Sequence, residues 1–150
     1  MRWSEEQLAE YQRRNGVPGA EKNRADTSAP PFALPPDIVL DLPAPISVNR
    51  IWRKTKSGMI KSDRYRQWMA KADAMLHYTG QLKGLKPIVG NFTALLIVKR
   101  SNLDLDNNAK CVLDFAQSRC FIVDDKLCEE LILKWGDAPA GCRLTLRPCA

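Results

Sequence analysis

Asp104-Leu105-Asp106-Asn107-Asn108-Ala109-Lys110 stands between two segments of opposite character. Before it, Phe92 to Val98 (Phe-Thr-Ala-Leu-Leu-Ile-Val) is a β-rich apolar run, bounded by Gly90 and by Arg100-Ser101-Asn102. After it, Leu105, Ala109, Val112, Leu113 and Ala116 recur at helical spacing, which predicts a helix of about three turns. The seven residues are therefore the entry to a helix that follows a strand. Asp104 and Asp106 would diverge by about 200° in a helix interior, but in an extended entry turn both can face one way. Lys110 follows Asp106 by four, so its ammonium can share a face with that carboxylate. Two hard oxygen ligands, a cation and a helix N-terminus would together suit a phosphate and a divalent metal.

An Asp near a helix start is also a common cap, and Asp-x-Asp alone is weak. The second pair, Asp124-Asp125, adds weight. It ends a short apolar run, Phe121-Ile122-Val123, expected to be the next strand, and strand ends are where sites are commonly assembled. A helix leading back to that strand could bring both pairs together. Converging carboxylates repel unless a cation holds them, and magnesium is the economical choice.

The pattern Asp104-x-Asp106-Asn107-x-x-Lys110, then Asp124-Asp125, resembles the RusA family of Holliday-junction resolvases. Leu42-Pro43-Ala44-Pro45-Ile46-Ser47-Val48-Asn49-Arg50-Ile51-Trp52-Arg53 resembles that family's proline-rich opening strand and Asn-Arg motif. The likeness spans roughly residues 37–148. It implies a small homodimeric, magnesium-dependent endonuclease (Mn²⁺ substituting) that nicks four-way DNA junctions in recombination and repair. Many members are carried by phages or prophages, which implies the cytoplasm of a bacterial or phage-infected cell. Carried across, Asp104, Asp106 and Asp125 would be the metal-binding catalytic carboxylates and Lys110 the catalytic lysine, with Asp124 and Asn107 as neighbours. One departure stands out. Where many relatives have a glycine between helix and strand, this chain has Ser118-Arg119-Cys120, none of them a residue suited to φ > 0.

Taken outward, the 150 residues allow one domain plus an arm. No apolar run approaches a membrane span, and no signal peptide opens the chain. Five cysteines (111, 120, 128, 142, 149), odd in number and without a Cys-x-x-Cys, read as reduced thiols. The one histidine, His77, rules out a His-based metal cluster and reads as a helix residue one turn after Asp73. Residues 1–36 read as an appendage to the domain at 37–150. Ser4 caps a short helix over 5–14, with Trp3 and Leu8 as a hydrophobic staple and Asn15-Gly16 as its stop. A stretch with five prolines then follows to Pro36.

That arm has five basic and five acidic residues, leaving 18 of the 23 basic and 12 of the 17 acidic to the domain. Residues 50–71 hold eight Lys/Arg against one Asp. A charge run is usually a solvated face. Here it covers a predicted hairpin (Ile51–Lys54 and Met59–Lys61 around Ser57-Gly58) and the helix after it, while the acids gather elsewhere. A basic rim around an acidic pit suits a nuclease. Asn49, Arg50, Trp52, Arg53, Lys54, Lys56, Lys61 and Arg64 are the candidate DNA contacts, with Trp52 the stacking side chain. The helix has Ser62 as its cap, a stripe of Tyr65, Trp68, Met69, Ala72 and Leu76, and Gly80 as its stop.

Ile38 to Leu42 alternates as a half-buried strand ending at prolines. Leu131–Trp135 and Cys142–Leu146, joined by a Gly/Pro-rich loop, predict an antiparallel hairpin with Cys142, Leu144 and Leu146 inward. The expectation is α+β: five or six strands in a mixed sheet covered by two main helices, RusA-like, with an N-terminal helical extension. Two rivals are a non-catalytic basic DNA-binding module and a restriction-type nuclease using Asp124 and Lys126. A nucleotide-sugar transferase ranks third, since no nucleotide-cradling glycine loop is present.

Overall fold

The computed structural model describes residues 34–150, so the helix expected at 5–14 lies outside the described residues. Within 34–150 the chain is mixed α+β, with six strands and two α-helices. Strand β1 is Ile38–Pro43, β2 Trp52–Thr55 and β3 Gly58–Lys61; helix α1 is Asp63–Thr79; β4 is Phe92–Val98; helix α2 is Ala109–Ser118; β5 is Cys128–Trp135 and β6 Gly141–Pro148. Short 3₁₀ turns lie at Val48–Arg50, Asp106–Asn108 and Asp125–Leu127. No described helix is long and apolar enough to cross a membrane.

Local chemistry explains most of these elements. Ser62 caps α1 by accepting from the Tyr65 amide at 3.2 Å, and Gly80 ends it in the left-handed region at φ 71°. Tyr65, Trp68, Ala72 and Leu76 are buried along its stripe. Strands β2 and β3 form the expected hairpin. In β4 burial alternates along Phe92, Ala94, Leu96 and Val98, and Cys142, Leu144 and Leu146 are buried in β6. These inner faces merge with the stripes of both helices into one core. The Trp68 ring stacks on Tyr65 and meets Phe115 edge-on at 5.4 Å between centroids, joining α1 to α2. Trp68 also donates its indole N–H to the Ala44 carbonyl at 2.9 Å. Asp73 is paired with Arg119 at 2.6 Å, and this tie links α1 to the end of α2.

The four-stranded sheet runs β1-β6-β4-β5, with β1/β6 and β6/β4 antiparallel and β4/β5 parallel. This corrects the expected hairpin: β5 and β6 are not neighbours, because β4 lies between them. Parallel neighbours need a crossover, and α2 is that crossover between β4 and β5. The Gly136–Gly141 loop then steps over the end of β4. Gly136 donates its N–H to the Val98 carbonyl at 3.0 Å, and Lys99 donates to that of Gly141 at 2.9 Å. Gly141 has φ 142°, and a Cβ there would run into the Ala44 backbone, so glycine is required at the start of β6. On the outer face Arg143 pairs with Asp41 at 2.7 Å as a β6-to-β1 cross-strand pair, and Arg147 pairs at 3.0 Å with Asp37, the residue before β1.

Candidate functional site

The Asp104–Asn108 segment is held by its own backbone and by Asn108. The Asp104 carbonyl accepts from the Asn107 amide at 3.2 Å and from Asn108 Nδ2 at 3.0 Å. Asn108 is almost fully buried and also donates to the Leu105 carbonyl at 3.3 Å, so it knots the turn from inside. The Asp104 and Asp106 side chains are exposed, Asn107 is half-buried, and among the described residues neither carboxylate is ion-paired.

Regular helix begins only at Ala109, after the 3₁₀ turn. That changes the partner of Lys110. Its ammonium contacts Asp114 Oδ1 at 2.7 Å and Asp125 Oδ2 at 2.9 Å, not Asp106. The reason is geometric: helical side chains lean toward the N-terminus, so Asp114, one turn on, reaches back to Lys110. Asp106 lies before the helix, outside its i, i+4 ladder. The two carboxylates, Asp114 foremost, push the Lys110 pKa up. The Lys110 hydrogen bond in turn pulls the Asp125 pKa down. At neutral pH the ammonium and the Asp125 carboxylate are both fully ionised.

What brings Asp125 to Lys110 is the end of α2. Cys120 takes φ 60°, Phe121 N–H donates to the Ala116 carbonyl at 2.9 Å, and Cys120 N–H donates to that of Gln117 at 3.0 Å. These two bonds and the left-handed residue make a Schellman motif, completed by Phe121 packing on Phe115 at 6.2 Å between ring centroids. The absence of glycine therefore does not prevent the left-handed helix end; Cys120 adopts it. The chain turned back there gives a single bridge from Ile122 to Ile88 rather than the expected strand over 121–123. Asp124 caps the next turn by accepting from the Lys126 amide at 2.9 Å, and the Asp125 amide donates to Gln117 Oε1 at 3.1 Å.

A groove of about 480 Å³ opens here, lined chiefly by Trp52, Lys61, Lys110, Asp114, Asp125 and Lys126, with Asp124 also on its wall. Lys61 Nζ lies 5.8 Å from the centre of the Trp52 ring and 5.0 Å from that of Tyr65. The structure thus joins Trp52 and Lys61 of the hairpin with Lys110, Asp124 and Asp125. Asp104 and Asp106 are not among its lining residues. Asn49, Arg50, Arg53, Lys54, Lys56 and Arg64 are exposed on the turn, hairpin and first turn of α1. Asp114 was missed from sequence, although its i+4 spacing from Lys110 was the available signal.

Among the described residues no three His, Cys, Asp or Glu side chains gather as a metal-holding group. All five cysteines are free. No protein-family model matches the chain, and no curated protein matches it.

Proposed function

We propose that this chain is a magnesium-dependent endodeoxyribonuclease that resolves four-way DNA junctions as a homodimer, as its likeness to the RusA motifs implies. The observation that carries the reading is the Lys110 ammonium held between Asp114 and Asp125 in a groove walled by Trp52 and Lys61. The groove has three lysines against three aspartates along its lining. Such a balance gives a polyanion no net attraction, so phosphate binding there calls for an added cation. By the likeness to the RusA motifs Asp104, Asp106 and Asp125 are the residues that would hold it, and of these Asp125 lines the groove. Their oxygen donors suit Mg²⁺ or Mn²⁺, which would supply an activated water and charge neutralisation; their placement does not amount to a preformed cage.

The chain's own groups have definite roles in this reading. Lys110, its proton held tightly by two carboxylates, acts by charge on a phosphate oxygen and not as a base. The exposed Arg50, Arg53, Lys54 and Lys56 grip the backbone to one side, and Trp52 offers a face to a base. The test is a labelled four-way junction and a linear duplex of the same sequence, each with and without Mg²⁺. Paired nicks in the junction alone, dependent on Mg²⁺, are expected. Asp106→Asn should bind the junction without cutting it, and cutting at near the wild-type rate would remove Asp106 from the mechanism.

A non-catalytic DNA-binding module is the second reading. It is favoured by the dispersed carboxylates and by Asp124 serving as a turn cap. Salt-sensitive DNA affinity with no nicking at any Mg²⁺ concentration would establish it in place of the first.

A further inference from the structure

The sheet has two outer strands, and they differ. β1 is six residues long, ends in Pro43 and is followed by Pro45, devices that discourage further pairing. β5 is eight residues long, has no proline, and among the described residues pairs only with β4. Its middle is apolar and open: Leu131 is 40% and Ile132 45% exposed. Edge strands of this kind are templates for another strand.

The sequence of β5 specifies which strand. Register with β4 puts Glu130, Ile132 and Lys134 on the outer face, beside Thr93, Leu95 and Ile97. Leu131 and Leu133 face inward, beside Ala94 and Leu96. We propose that the free edge of β5 pairs antiparallel with β5 of a second copy, about a two-fold axis through Ile132. In that register Glu130 faces Lys134 of the partner subunit, and Lys134 faces the partner's Glu130. Leu131 meets Leu133 of the partner subunit, and the two Ile132 side chains meet on the axis. From Glu130 to Lys134 each like-face pair is complementary, and beyond them Glu129 lies opposite the partner's Trp135. A shift of the axis to Leu131 would lose both Glu130–Lys134 matches and set Glu130 against an isoleucine. A shift to Leu133 would set Lys134 against Ile132. The charges and the leucines thus select one register and one occupant, a second copy of this chain.

The joined sheet has eight strands, and the axis normal to it leaves both helical layers on the same side. The two grooves are then related by that same axis. The interface stands on the strand itself and gives the proposed dimer its contact surface, whatever chemistry the groove performs.

Charge exchange on the full-length chain tests it, read by sedimentation equilibrium at low salt. The wild type is expected to dimerise. Glu130→Lys and Lys134→Glu each place like charges opposite at two sites, and each should raise the dimer Kd about tenfold or more. Mixing the two variants one to one should restore wild-type affinity, because the heterodimer recovers both opposite-charge pairs. A wild type that stays monomeric at about 100 μM, single variants as tight as wild type, or a mixture that stays weak each overturns the proposal. Junction nicking measured on the same samples keeps the readings apart. A dimer indifferent to Lys134→Glu removes this edge and leaves the nuclease reading intact; a chain that dimerises as described but never nicks does the reverse.

Discussion

Replacing Cys120 with glycine should stabilise this protein, although it removes every side-chain atom at the position. Cys120 holds φ 60° as the left-handed residue of the Schellman motif that closes α2. A residue with a Cβ in that region costs about 1–2 kcal/mol relative to its ordinary conformations. Glycine avoids the clash but loses more backbone freedom on folding, an opposing effect of about 0.5–1 kcal/mol. The thiol is exposed and has no hydrogen-bond partner among the described residues, so its removal costs little. The balance is a gain of about 0.5–1 kcal/mol, a rise in Tm of about 2–4 °C for a chain of this size. With a urea m-value of about 1.5 kcal/mol/M, the midpoint should move up by about 0.5 M. Urea titration followed by circular dichroism reads this directly. Cys120→Ala is the control: it keeps the Cβ, so its midpoint should stay within about 0.2 M of wild type if the backbone is the cause. A glycine variant no more stable than the alanine one would refute the argument, because backbone strain would then not be what the cysteine bears. The spatial corollary is that the glycine variant keeps the Lys110–Asp125 contact, since the same turn is made with less strain.

Gly141→Ala tests the opposite case. With φ at 142° and the Ala44 backbone where a Cβ would go, the substitution should cost about 3 kcal/mol or more, seen as a large fall in the urea midpoint or a loss of soluble protein. Asp41 gives a pH prediction. Its pKa is lowered, chiefly by the Arg143 hydrogen bond, so the folded state binds its proton less readily than the unfolded one. The stability it contributes is present above the ordinary aspartate range near pH 4 and is lost as pH falls through the lower folded value. Asp41→Asn should therefore show a shallower decline of Tm between pH 5 and about pH 2 than wild type; parallel curves would contradict the linkage.

Much of this fold is written in local pattern. The caps and stripe of α1, the alternation of β4 and β6 and the β2–β3 hairpin are properties of neighbouring residues, and periodicity reports them faithfully. So does the basic character of the segment from Arg50 to Lys71, which needs no fold to be seen. Three other matters were decided only when the chain closed on itself. A short glycine-rich loop looks the same whether it closes a hairpin or steps over a third strand. Here the more apolar β4 took the place between β5 and β6 because burying its alternating face required a neighbour on each side. Lys110 found Asp114 and Asp125 because the helix started three residues after Asp106 rather than at it, and Cys120 turned left-handed because Phe121 had to reach Phe115. Sequence spacing fixes which side chains share a face within one element. Which elements meet, and where a helix starts and stops, depends on burial summed over the whole core, and no single stretch of residues contains that sum.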